Sequence, residues 1–170
     1  MDRIVSNCLT DVGPLGMLVN GNIPPEGRLM LHFAKPRWPQ TLADLALFSA
    51  CSARDLQRIG SLVTGLEVGP GEVLINEGTV GLEFLVITAG QAEVTVDGRR
   101  VAILGPGDFT GEMALLDHGP RSASVRSLTP LTFYVCNSAE FATLLDVAPG
   151  VRAKIVAAAG ERAQANRVAA

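Results

Sequence analysis

Apolar and polar residues follow three successive patterns along this chain. From residue 41, apolar residues recur at helical spacings, as at Leu45 and Phe48. Between residues 65 and 136 the pattern changes to short apolar runs separated by glycine-containing turns. After residue 136 the helical spacing returns. The patterns predict helices first, then a region of strands, and then helices again.

The helices before the strands have polar residues that suit a first helical turn. Thr41 and Ser52 each place a hydroxyl at a predicted N-cap, with Asp44 and Asp55 three residues further on. This is a capping box with aspartate in place of the usual glutamate, and it satisfies amide donors that would otherwise lack a partner. Two helices are therefore predicted, beginning near residues 41 and 52.

The middle of the chain contains six predicted strands. Ala92–Val96 shows the period-two alternation of a half-exposed strand, and Asp97-Gly98 after it predicts a two-residue hairpin turn. Many short strands at this spacing predict a β-sandwich or a barrel. The predicted strands cover residues 73–75, 84–87, 92–96, 101–104, 122–126 and 131–136.

The C-terminal part predicts two helices. Ser138–Leu145 forms a short one, which ends at Ala148-Pro149-Gly150. From about residue 150 a second helix is predicted, because apolar residues recur every four positions from Val151 to Ala163. An apolar stripe of this kind is typical of core packing or of a dimer seam, so a homodimer through this helix is one expectation.

Residues 1–40 differ from the rest of the chain. Prolines and glycines punctuate them too often for a long helix, although Arg28–Phe33 is compatible with one strand. Trp38 lies between prolines and basic residues, where it could anchor the segment on the domain. We therefore predict a Pro/Gly-rich extension over residues 1–40 and one domain over residues 41–170.

Composition narrows the classes of function and location. Apolar residues make up 48% and charged residues 18% of the chain, which is typical of a globular protein. The net charge of −3 gives no support to a global DNA-binding surface, and no apolar run is long enough for a membrane helix. The N-terminus lacks the features of a signal peptide, and the three cysteines form no CxxC pair. We therefore expect a cytoplasmic protein that interacts with neither membrane nor DNA.

Catalytic chemistry is not predicted either. The chain has only two histidines, whereas a metal-dependent enzyme of the cupin kind needs several together. No nucleophile and base form a convincing pair in the sequence. The expectation is a non-enzymatic protein without a metal or a cofactor.

The segment Gly111–Val125, GEMALLDHGPRSASV, has the richest chemistry in the sequence. It opens with a glycine before a short helical turn, whose first amides suit an anion. Arg121, after a rigid proline, can grip phosphate oxygens with its planar guanidinium. Glu112 would repel a phosphate but can accept a hydrogen bond from a hydroxyl. The combination therefore suits a ligand that has both a phosphate and a sugar hydroxyl.

This segment resembles the phosphate-binding cassette of the cyclic-nucleotide-binding superfamily, whose pattern is roughly G-E-x-A-L-(x)n-P-R-x-A-(S/T). The resemblance extends over about residues 47–166, including the turns VGPGEVLINEG and GPGDFTGE. It implies a mainly β fold: a jelly-roll-like β-barrel (double-stranded β-helix) flanked by N- and C-terminal helices. It also implies a cyclic nucleotide as ligand, cAMP in the first place and cGMP as the alternative.

The resemblance further implies roles for single residues. Glu112 would accept the ribose 2′-hydroxyl and Arg121 would pair with the cyclic phosphate. Asn166, on the last helix, would close on the base. The amides of residues 111–114 and those of Ser122 and Ala123 would complete the cradle. The predicted ligand-binding residues are Gly111, Glu112, Met113, Ala114, Arg121, Ser122, Ala123 and Asn166.

Three functions stay open at this point. The first is a stand-alone sensor, in which the ligand draws in the C-terminal helix and so alters the surface for an effector protein. The second is a regulator of the catabolite-activator kind whose DNA-binding domain is missing or separate. The third is a structural barrel that binds no nucleotide, in which Glu112 and Arg121 form an ion pair with each other.

Overall fold

The computed structural model describes the backbone of residues 42–169 and the side chains of residues 42–165. The predicted extension over residues 1–40, with its strand Arg28–Phe33 and Trp38, lies outside the described residues, as does Thr41.

Within residues 42–169, eight strands form two antiparallel four-stranded sheets, in the orders β1-β8-β3-β6 and β2-β7-β4-β5. Strands distant in sequence are neighbours in each sheet, which is the topology of a jelly roll and confirms the predicted mainly β fold class. The strands are β1 Thr64–Val68, β2 Val73–Ile75, β3 Glu83–Ala89, β4 Ala92–Val96, β5 Arg99–Leu104, β6 Phe109–Thr110, β7 Ser124–Ser127 and β8 Leu131–Asn137.

Helices flank the strands on both sides in sequence, as predicted. The flanking helices are α1 Ala53–Leu62, α3 Ser138–Val147 and α4 Pro149–Ala169, preceded by two 3-10 helices at Leu42–Asp44 and Ala46–Phe48. The short helix α2 Glu112–Asp117 lies between β6 and β7. The predicted capping box of α1 is formed, because the Ser52 hydroxyl accepts from the Asp55 amide and the Asp55 carboxylate accepts from the Ser52 amide. None of the helices within residues 42–169 has the length and apolar character needed to cross a membrane.

Strand β3 is buried on both faces, and each face belongs to a different hydrophobic cluster. Phe84 and Val86 pack with the helices, in a cluster that includes Ile155 of α4. The alternate residues Leu85 and Ile87 pack with the other sheet. A strand covered on both sides has a continuous apolar run instead of an alternating one, which explains the sequence EFLVITA.

The elements differ from the predicted ones at three places. Leu45 and Phe48 lie in or beside the two 3-10 helices and not in one α-helix. Strands β1 and β6 were not predicted. The strand predicted over residues 122–126 begins only at Ser124, and before it the backbone of Arg121 pairs with the loop at Gly78 and Thr79.

Candidate functional site

The cassette begins with a backbone conformation that only glycine adopts easily. Gly111 is the N-cap of α2 and has φ +91°. A Cβ at this position would lie 2.5 Å from the Glu83 carbonyl oxygen and 2.6 Å from Nη1 of Arg121. The absence of a side chain therefore lets the chain turn into α2 and lets the arginine approach it.

Arg121 is buried, with 5% of its surface exposed, and its guanidinium is fixed by three hydrogen bonds. Nη1 donates to the Gly111 carbonyl oxygen at 2.9 Å. Nη2 donates to the carbonyl oxygen of Glu83 at 2.8 Å and to its carboxylate at 3.1 Å. These bonds use three of the five guanidinium N–H groups and hold the planar fork in one orientation.

The charge of Arg121 is preserved despite this burial. Burial lowers the pKa of the guanidinium, while the carboxylates of Glu83 and Glu112 raise it again. Since arginine ordinarily titrates far above neutral pH, the group stays a cation. The site therefore holds a fixed positive charge.

Glu112, the first residue of α2, is 99% buried, and its partner comes from the last helix. Nη1 of Arg162 on α4 donates to Oε1 of Glu112 at 2.7 Å. The Arg162 guanidinium also lies 4.9 Å from the ring centroid of Phe109, a cation–π distance. Glu112 and Arg121 are thus each paired with another residue, and the ion pair between them that a purely structural role implied is not formed.

These side chains line a cavity of about 190 Å³ between the sheet β2-β7-β4-β5, the cassette and α4. Its apolar wall comes from the sheet. The Ser122 hydroxyl, also at the cavity, donates to the Met113 sulfur at 3.4 Å. The residues that line the cavity are Ile75, Val94, Val96, Val101, Ala102, Leu104, Thr110, Gly111, Glu112, Met113, Ala114, Arg121, Ser122, Ala123, Arg162 and Ala165.

Seven of the eight predicted site residues are therefore brought to one cavity. They are Gly111, Glu112, Met113, Ala114, Arg121, Ser122 and Ala123. The eighth, Asn166, belongs to α4, but its side chain lies outside the described ones. Ala165, the residue before it, lines the cavity.

Sequence reasoning missed Arg162 and Glu83. Arg162 lies seven residues after Ile155, so a charged residue falls on the same face of α4 as the buried apolar stripe. A cation on such a face needs a buried acid as its partner. The position of Arg162 on this face could therefore have indicated an ion pair with a buried acid. Glu83 had no comparable signal, since it precedes an apolar run like many strand-flanking charges.

The sequence matches a family model described as the cyclic nucleotide-binding domain over residues 66–147. An acetyltransferase Pat of Mycolicibacterium smegmatis is 33% identical over 125 residues, which cover 71% of this chain and 37% of that protein. A cAMP-dependent protein kinase regulatory subunit of Yarrowia lipolytica is 32% identical over 116 residues, 67% of this chain and 31% of that protein. The chain thus spans about a third of the length of these relatives.

Solved structures share the fold. A structure of PKAR CBD2 with Sp-2Cl-cAMPS bound has a TM-score of 0.64 at 20% identity, over 72% of this chain and 84% of that one. The catabolite activator protein of Thermus thermophilus has a TM-score of 0.63 at 24% identity, over 72% and 60% of the two chains. Motif, fold and family match agree. Through residues 66–147, the chain belongs to the cyclic nucleotide-binding domain family.

Proposed function

We propose that this domain is a non-enzymatic sensor of a 3′,5′-cyclic nucleotide, with cAMP as the ligand. One observation carries the proposal: a buried carboxylate, Glu112, and a buried guanidinium, Arg121, line the same cavity. Buried charges of opposite sign that do not pair with each other suit a ligand with two different polar groups.

Arg121 is proposed to bind the cyclic phosphate. Its guanidinium is oriented by Gly111 and Glu83 before any ligand arrives, so binding would cost little side-chain ordering. The amides of Gly111–Ala114, with Ser122 and Ala123, would donate further hydrogen bonds to the anion. The pairing of a planar fork with phosphate oxygens is a strong, charge-assisted interaction.

Glu112 is proposed to accept the ribose 2′-hydroxyl. Its Oε1 already accepts from Arg162, but an ionised carboxylate has about four acceptor positions. One carboxylate can therefore serve the ribose and the helix α4 at the same time. The side-chain amide of Asn166 is proposed to form hydrogen bonds with the edge of the adenine base.

The ion pair between Glu112 and Arg162 suggests how occupancy would be read. Arg162 links α4 to the cassette, with its Nη1 at 2.7 Å from Oε1 of Glu112. A ligand bound to the same carboxylate would shift the equilibrium between different positions of α4. The size of the shift equals the difference in the ligand's binding free energy between those positions. We propose in addition that an effector protein responds to the position of α4, and that the chain forms a homodimer through this helix.

The relatives support a regulatory role. The Yarrowia relative is named as a cAMP-dependent kinase regulatory subunit, and the Mycolicibacterium relative as an acetyltransferase, so proteins with different activities share this domain. We extend only the sensing of a cyclic nucleotide to this chain.

Isothermal titration calorimetry of the whole chain tests the proposal, with cAMP, cGMP and, as a control, 5′-AMP, which has the same base without the cyclic phosphate. We expect saturable binding of cAMP, weaker binding of cGMP and none of 5′-AMP. No heat with either cyclic nucleotide would favour a structural barrel. A gel-shift assay with genomic DNA tests the second function left open, and we expect no specific retardation.

A further inference from the structure

A second concave surface lies beside α2, and the cavity lined by Glu112 and Arg121 is called the nucleotide cavity below, after the proposed function. The second surface is a groove of about 490 Å³ between α2 and α3, referred to below as the α2–α3 groove. Its walls are mainly apolar. The apolar side chains that line it include Val80, Leu82, Leu115, Leu116, Ala142 and Leu145.

Two side chains of this groove are unusually exposed for their type. Val80 is 80% and Leu82 46% exposed, and both follow the loop that pairs with the backbone of Arg121. A contiguous apolar surface of this kind is typical of a site that another molecule covers.

Two exposed acidic residues adjoin lining residues of the α2–α3 groove in sequence. Asp117 and Asp146 are exposed and directly follow the lining residues Leu116 and Leu145, at the ends of α2 and α3. Among the described residues that line the groove there is neither a lysine nor an arginine. An apolar floor with an acidic rim is complementary to an apolar stripe flanked by basic side chains.

We propose that the α2–α3 groove is the docking surface for an amphipathic helix of a partner protein, with a basic polar face. A groove bounded by two helices accepts a third helix through apolar side chains spaced by three and four residues. The acidic rim then selects lysine and arginine on the flanks of that helix.

The groove is also in direct contact with the nucleotide cavity. Ala114 lines both. Gly81, at the floor of the groove, is so close to the cassette that an added Cβ would lie 2.7 Å from both the Ala114 Cβ and Nε of Arg121. A ligand that shifts α2 therefore shifts the groove floor. This coupling, unlike the docking itself, rests on the proposed function.

The test uses the whole chain and a fluorescein-labelled amphipathic peptide of leucine and lysine, about 14 residues or four helical turns long. Fluorescence anisotropy measures its affinity for the wild type and for two groove variants, Val80→Asp and Asp146→Lys. Ile103→Asp and Glu67→Lys are matched controls, since both residues are exposed and lie away from the groove. A peptide with glutamate in place of lysine controls for charge.

We expect the lysine peptide to bind, Val80→Asp to weaken binding about tenfold, and Asp146→Lys to weaken it several-fold. The control variants should bind like the wild type, and the glutamate peptide should not bind. Equal binding by Val80→Asp and Ile103→Asp, or by Asp146→Lys and Glu67→Lys, would overturn the docking proposal. So would the absence of binding by the wild type.

The same titration with saturating cAMP tests the coupling, with occupancy followed by calorimetry. We expect the peptide affinity to change when cAMP is bound. An unchanged affinity at full occupancy would overturn the coupling. A failure of cAMP to bind would be seen in the calorimeter, and it would contradict the proposed function while the peptide titrations still decide the docking.

Discussion

Arg121 and Glu112 are both buried, yet their surroundings differ. Arg121 donates to two backbone carbonyls, which cannot move away without distorting β3 and the turn into α2. Glu112 depends on Arg162, a partly exposed side chain of another element. The phosphate side of the proposed site is therefore rigid, whereas the sugar side can respond to α4.

The proposed contact between Glu112 and the ribose 2′-hydroxyl can be isolated by changing both partners: the side chain in the protein and the hydroxyl in the ligand. The wild type should bind 2′-deoxy-cAMP more weakly than cAMP by about 1.5–3 kcal/mol, the usual contribution of a hydrogen bond to a charged group. In Glu112→Gln the difference between the two nucleotides should shrink, because the amide accepts less strongly than the carboxylate. Calorimetry with both ligands measures this. An equal difference in both proteins would place the ribose hydroxyl elsewhere.

At the scale of elements, motifs formed by a few adjacent residues could be predicted from the sequence, whereas contacts between residues distant in sequence could not. The capping box of α1 and the hairpin at Asp97-Gly98 were predicted correctly, since a few adjacent residues determine them. The cassette was recognised for the same reason. Strand β1, Thr64–Val68, was missed because it contains a glycine and a glutamate and is defined by its pairing with β8.

The pairing of Glu112 with Arg162 illustrates why part of the site could not be predicted. The two residues are 50 positions apart in sequence, and their contact depends on how α4 packs against the barrel. The motif identifies an acid and an arginine, but it does not show that each is already held by another side chain. The phase of Arg162 on α4 was the one available indication.

Helix α3 contacts α4, and the contribution of its N-cap to stability can be tested. The Asn137 side chain accepts from the amides of Ala139 and Glu140, both at 3.0 Å. Asn137→Ala should lower the free energy of unfolding by about 1 kcal/mol. Chemical denaturation measures this, with the exposed neighbour substitution Ser138→Ala as control. A loss no larger than that of the control would show that the cap contributes little.

At the scale of the whole molecule, strands β3 and β8 join the two hydrophobic clusters. Phe84 and Cys136 face the helices, and Leu85 and Val135 face the other sheet. Burial raises the pKa of the Cys136 thiol to about 12, with a further contribution from Glu140, so the thiol behaves as an inert core residue. The described part of the chain, joined in this way, is expected to unfold as one unit.

Cyclic nucleotide binding should therefore stabilise the whole described part of the chain. A ligand at 100 times its dissociation constant adds about 2.7 kcal/mol to the free energy of unfolding. We expect cAMP to raise the melting temperature by several degrees and 5′-AMP to leave it unchanged. Differential scanning fluorimetry is the measurement. A melting temperature that cAMP does not change would contradict tight binding to the folded domain.

The central claim is that Arg121 binds the phosphate of a cyclic nucleotide, and titration of the wild type and Arg121→Ala with cAMP tests it most directly. Arg126→Ala, an exposed arginine on β7, is the control, and Arg121→Lys keeps the charge without the planar fork. Circular dichroism checks that each variant is folded. We expect Arg121→Ala to lose about 2–5 kcal/mol of binding free energy, Arg121→Lys to bind more weakly than the wild type, and Arg126→Ala to bind like it. An affinity for cAMP that is unchanged in folded Arg121→Ala would contradict the account.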